Sequence, residues 1–203
     1  MYSTIRFAGE RWDILKKENG KTLLAFSSGF FGNESLMFRT KNFFERDCSY
    51  FYKTMREYLN VTFSNYVFSE SDKKHIVVIQ NKYPVVSWEK DDLGFSTTNF
   101  KMEVQKDRVF PLRYVDVCGL SSRELTDICS LRKGDKVILS PQNIDKNQRI
   151  PTISYHEDWK TGRSYQQLEE FSFETLERDI KDDESYLDSI TVIPAIWVDS
   201  SIT

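Results

Sequence analysis

Alanine is nearly missing. Among 203 residues only Ala8, Ala25 and Ala195 carry it, while Phe and Tyr number 15 and 10. Losing the best helix former and filling the space with ring-bearing and β-branched residues tilts the chain toward sheet. Such a shortage is also a mark of AT-rich coding sequence, as in many phages and low-GC bacteria. Cysteine is scarce as well. Cys48, Cys118 and Cys129 lie in apolar patterns at spacings that match no zinc signature, and their odd number fits a reducing, cytoplasmic setting. No apolar run approaches the roughly 20 residues of a spanning helix, and the N-terminus lacks the core of a signal peptide, so no membrane association is expected. The sequon-like Asn33-Glu34-Ser35 and Asn60-Val61-Thr62 are then chance matches. Basic excess is missing too. The net charge of −3 excludes a whole-surface grip on phosphates and confines any nucleic-acid role to a local patch.

Catalytic signatures are also wanting. There is no Gly-x-Ser-x-Gly elbow and no Gly-x-Gly-x-x-Gly or phosphate loop, so neither acyl transfer nor a nucleotide cofactor is expected. With two histidines, the nearest approach to a metal site is the His156–Asp158 pair, on one side of a strand. A carboxylate–lysine nuclease would draw on Asp91 or Asp92 with Glu103 and Lys106. The last two are three apart, however, and alternate to opposite faces of a regular strand. The reading leans away from an enzyme and toward a binding protein without cofactor or metal.

What is present organises the chain as α+β, mainly antiparallel sheet. Asn19-Gly20 between two strand-like runs signals a hairpin with a type I′ turn. SSGFFGNES, around Phe30 and Phe31, reads as a loop. Phe44, Cys48, Phe51, Met55 and Leu59 form one stripe of a long amphipathic helix over about 41–59. VTFSNYVF, HIVVIQ, VVSW, GFSTTNFKMEV and VFPLRYVDVCGL then read as strands of an antiparallel meander. Ser121 with Glu124 opens a short helix near 121–131, and Ser164 with Gln167 signals another over 164–181, with Leu168, Phe171, Leu176 and Ile180 inward. ITVIPAIWV closes the chain as a strand. The domain expectation is an α+β part over 1–110 and a β-rich part over 111–203, closely packed or merged as one compact domain.

Functional interest concentrates at LRKGDKVILSPQNIDKNQRI, residues 131–150. Lys133, Lys136, Lys146, Arg149, Lys160 and Arg163 lie near Tyr155, Trp159 and Tyr165. Cations interleaved with rings suit single-stranded nucleic acid, because rings stack on bases while Lys and Arg meet phosphates. Asp135, Asp145, Glu157 and Asp158 stand among them, as on any mixed solvated surface.

Residues 115–154 also resemble a HIRAN domain. The order carries the likeness: VDVCGLS, a short helical link, then LRKGDKVIL entering a strand, and Pro141-x-Asn143-x-Asp145-x-Asn147. The family shows Pro-x-Asn-Pro-x-Asp-x-Asn-Ala-Ile there; this chain lacks the second proline and has Gln148-Arg149 in place of the alanine. The resemblance implies a β-rich module whose polar loop helps shape a pocket for a single-stranded DNA end. The expected contact set is Asn143, Asp145, Lys146, Asn147, Arg149, Trp159, Lys160, Arg163 and Tyr165. The partner is single-stranded nucleic acid or a protein of a DNA-processing complex, in a phage or bacterial accessory factor. A metal-dependent nuclease or phosphoesterase, and a protein-binding inhibitor or virion component, are the alternatives.

Overall fold

The computed structural model describes residues 3–26, 30–31, 34–35, 48–90, 96–129, 131–141, 149–172 and 190–202. The N-terminal hairpin forms as the sequence expects. β1 (Thr4–Phe7) pairs with β2 (Glu10–Glu18), which turns through Asn19-Gly20 into β3 (Lys21–Phe26). Asn19 and Gly20 have φ of 50° and 70°, the left-handed pair that a type I′ turn demands. Within the Phe-rich loop, β4 (Phe30–Phe31) and β5 (Glu34–Ser35) make a two-residue ladder.

The expected long helix over 41–59 is not shown: residues 41–47 lie outside the described residues, and α1 is an α-helix over Cys48–Glu57. Beyond it come a π-helical turn (Tyr58–Phe63), α2 (Ser64–Val67) and α3 (Glu70–Lys73). The strand expected over 61–68 is therefore helical. Leu59, Phe63 and Val67 recur every four residues and extend the inward stripe of Tyr52 and Met55, whereas Val61 and Tyr66 are left exposed. A four-residue apolar step outweighs the alternating one.

The meander is replaced by three pairings. β6 (Ile76–Val77) and β9 (Phe110–Pro111) both pair with the C-terminal strand. Between them β7 (Ile79–Lys90) and β8 (Ser96–Asp107) form a two-stranded ribbon twelve rungs long. Past Pro111 the expected strand breaks into a helical turn, α4 (Tyr114–Val117), held by two 2.7 Å contacts from the Arg113 guanidinium to the Asp116 carboxylate. α5 (Ser122–Ile128) starts at the expected capping box of Ser121 and Glu124, then stops three residues short of Leu131. β10 (Lys136–Ile138) follows Gly134, whose φ is 93°.

The second predicted helix is overturned where it is described. β11 (Arg149–Asp158) and β12 (Arg163–Ser172) are antiparallel partners over ten rungs. Gly162, at φ 63°, reverses the chain, and alternate residues Gln166 and Leu168 turn inward. The Leu168–Phe171 spacing suited a helix, but the ten-rung ladder with β11 satisfies the backbone instead. Leu176 and Ile180 lie outside the described residues. β13 (Ile190–Thr191) runs parallel to β10 in the sheet ordered β12-β11-β10-β13.

The closing strand, β14 (Pro194–Asp199), lies between β3 and β6 and completes the sheet ordered β1-β2-β3-β14-β6. Pro194 is its first residue, where a missing N–H does least harm. Both faces of this sheet are covered, which is why residues 23–26 of β3 and 194–198 of β14 are continuously apolar. Leu24, Phe26, Ile196 and Val198 join one core with Trp12, Tyr52, Met55, Leu59 and Phe63. Leu23, Ala25, Ala195 and Trp197 join another with Phe110, Leu125, Ile128, Val137 and Ile153. Among the described residues, no helix is long and apolar enough to cross a membrane.

Cys129 belongs to the second core, its thiol 3.1 Å from Gln166 Oε1; Cys118 is exposed. Burial pushes the Cys129 thiol from an ordinary 9.0 up to about 12. Below pH 9 the thiol is protonated in both folded and unfolded chains, so its contribution to stability is fully present. As pH climbs from 9 toward 12 only the unfolded chain ionises, and that contribution is lost by up to about 1.4 kcal/mol per pH unit. Urea midpoints at pH 8 and 10 are expected to fall more for the wild type than for Cys129→Ala. Iodoacetamide is expected to label Cys118 in the native protein while sparing Cys129.

Candidate functional site

Two places combine exposed chemistry with a structured frame. The first is the tip of the β11–β12 hairpin. Asp158 organises the turn: its carboxylate accepts from the backbone N–H of Lys160 and from Thr161 Oγ1, both at 2.9 Å. Its carbonyl accepts from the N–H groups of Thr161 and Gly162 at 3.2 and 2.7 Å. The bonds to the carboxylate, the one from the Lys160 N–H foremost and then the one from the Thr161 hydroxyl, hold the Asp158 carboxyl below the usual carboxylate range. The pinned turn lifts Trp159 out of the protein at 85% exposure, with Lys160 Nζ 5.1 Å from the centre of its ring. Tryptophan is highly buried on average, so a hairpin that presents one to solvent is informative.

Register decides what shares a face with this tip. Asp158 opposes Arg163 and His156 opposes Tyr165, so these four lie on one side of the ribbon. The His156 and Tyr165 rings stack at 5.5 Å with an interplanar angle of 22°, and His156 Nε2 is 2.9 Å from Glu169 Oε2. Glu157 falls on the opposite side, level with Ser164.

The predicted contact set is thus divided. Trp159 and Lys160 are in contact within the turn, Arg163 stands on its closing rung and Tyr165 two rungs further along. Arg149 opposes Ser172 at the other end of the hairpin, nine rungs away and roughly 30 Å off at strand rise. It does not join them. Asn143, Asp145, Lys146 and Asn147 lie outside the described residues, as do Asp91 and Asp92. Glu103 is ion-paired with Lys101 at 2.9 Å, Lys106 alternates away from it along β8, and His156 and Asp158 each have other partners. Among the described residues, no group of three His, Cys, Asp or Glu could hold a metal ion.

The second place escaped sequence reasoning altogether. Asp107, the last residue of β8, is buried to 1% exposure. Arg56 Nε lies 2.7 Å from its Oδ1, an ion pair and not an aligned hydrogen bond. Tyr83 donates its hydroxyl to Oδ2 at 2.7 Å, and Asn81 Nδ2 stands 3.3 Å away. Burial first, then the neighbouring Asp107 charge, pushes the Tyr83 phenol well above its ordinary range. Asn60, inside the π-helical turn, bridges to the same corner. Its Oδ1 accepts from the N–H groups of Arg108 and Val109, while its Nδ2 donates to Val109 O at 2.8 Å and reaches Asp107 Oδ1 at 3.2 Å. π-helical turns recur at functional sites, and this one borders a polar cleft. The partners come from residues 56, 60, 81, 83 and 107, a separation that no local spacing betrays. In the sequence Asn60 shows only the sequon-like Asn60-Val61-Thr62, which carries no mark of this corner.

Among the described residues, fold and site together define a strand-dominated α+β protein with a ring-bearing hairpin tip of mixed charge and a buried ionic corner. No protein-family model, no curated protein and no solved structure matches the chain.

Proposed function

We propose that the chain is a non-catalytic binding protein that takes up single-stranded nucleic acid at the β11–β12 hairpin tip, as an accessory factor of DNA processing. The observation that carries this reading is Trp159, 85% exposed on a turn pinned by Asp158, with Lys160 against its ring. The pinned backbone presents the ring to solvent, and every base offers a π-face, so the recognition is sequence-tolerant. Tyr165 offers a second ring two rungs from the turn, and the exposed Lys160 and Arg163 would supply the cations for flanking phosphates. The likeness of residues 115–154 to HIRAN domains points to the same ligand class. On this reading the protein works in the cytoplasm of a bacterium, or of a bacterium infected by a phage.

Two cations set a shallow salt dependence. Fluorescence polarisation with a short labelled oligothymidylate is expected to give a log–log salt slope of about −1.4, at roughly 0.7 per neutralised phosphate. A lack of binding at low salt would refute the reading. Capture of a protein from the same cells by the tip would replace it with a protein-docking role.

A further inference from the structure

We propose that the cleft beside the π-helical turn is a separate binding site, for the phosphate group of a small phosphorylated ligand. The cleft is open to solvent, with a volume of about 430 Å³, and is lined by Asn60, Asn65, Glu70, Lys73, Lys106, Asp107 and Arg108. That volume lies within the range of about 300–1,000 Å³ usual for small-molecule sites. Its walls are mostly polar, and their charges do not cancel. Glu70 is matched by Lys73 at 2.7 Å, and Asp107 by Arg56 at 2.7 Å. Among the described residues, neither the Lys106 ammonium nor the Arg108 guanidinium has an ion-pair partner, and both side chains are exposed. Arg108 is near enough for its charge to help hold the Glu70 carboxyl below its ordinary range, behind the larger effects of Lys73. Lys73, Lys106 and Arg108 border the cleft against the two carboxylates of Glu70 and Asp107, and Arg56 also pairs with Asp107; this excess of positive charge favours an anion, and a phosphate can accept from Lys106 and Arg108 together.

The cleft is also built. Asn60 clamps the backbone N–H groups of Arg108 and Val109, and the Arg56 guanidinium donates to the Lys106 carbonyl at 3.0 Å. The backbone carrying Lys106 and Arg108 is therefore fixed against the helical segment before any ligand arrives. Lys73, tied to Glu70 and to Asn65 Oδ1 at 2.8 Å, fixes the opposite wall.

Calorimetric titration of the whole protein with inorganic pyrophosphate at low salt tests the site. Binding is expected for the wild type, with at least a tenfold loss in Lys106→Ala/Arg108→Ala. That double variant is expected to keep its melting temperature, since both side chains are exposed and unpaired. Lys160→Ala/Arg163→Ala is expected to bind pyrophosphate as the wild type does, so failure at the hairpin tip and failure here read out separately. Tighter binding of a nucleoside diphosphate than of pyrophosphate would extend the site to a nucleotide. No heat with the wild type, or equal affinity in the Lys106→Ala/Arg108→Ala protein, would overturn the proposal.

Discussion

Asp107→Ala is expected to destabilise the fold by roughly 3–5 kcal/mol, the range for breaking a buried ion pair by removing one partner. The substitution leaves Arg56 without its counter-charge and the Tyr83 hydroxyl and Asn81 amide without an acceptor, all beside a buried corner. Against a total stability of about 5–15 kcal/mol this is a large share, and it corresponds to a fall in Tm of about 6–20 °C for a domain of this size. Arg56→Ala alone is expected to cost less, because its side chain is 28% exposed and water can reach the gap. Combining the two should cost less than their sum, since the second removal acts on a pair already broken. Calorimetric melting of the four proteins measures both the size and the coupling. A loss under about 1 kcal/mol for Asp107→Ala would mean that the corner is solvated and that the cleft it supports is not preformed.

Trp159→Ala is expected to weaken oligothymidylate binding by roughly 5- to 150-fold, the equivalent of one ring–base stack at about 1–3 kcal/mol. Its stability should be unchanged, because a side chain 85% exposed contributes little packing. That separation of binding from folding is what marks a recognition residue. Trp159→Phe should recover most of the affinity, since a ring remains. Arg149→Ala should leave affinity unaltered, because Arg149 opposes Ser172 at the far end of the hairpin. Equal losses for Arg149→Ala and Trp159→Ala would show that binding does not centre on the tip.

Legibility in the sequence followed the range of the forces involved. The Asn19-Gly20 turn and the Ser121–Glu124 capping box are decided within four residues, and both formed as read. Segments 61–68 and 164–172 offered two periodicities at once. The core stripe of Leu59, Phe63 and Val67 resolved one as helix, and ten rungs with β11 resolved the other as strand. Both resolutions are tertiary. The candidate sites divide in the same way. Trp159, Lys160, Arg163 and Tyr165 lie within seven residues, so a hairpin could gather them. Arg149 was close in sequence but not in space, because an extended strand carries its ends apart. The Asp107 corner draws partners from up to 51 residues away, which no reading of local spacing assembles.

Chemical-shift mapping with a short oligothymidylate addresses the hairpin tip most directly. The Trp159 indole N–H and the backbone amides of residues 156–165 are expected to shift together, while Trp12, buried with its Nε1 donating to Phe7 O at 3.1 Å, stays in place. Saturating oligonucleotide that leaves the Trp159 indole unmoved would contradict it.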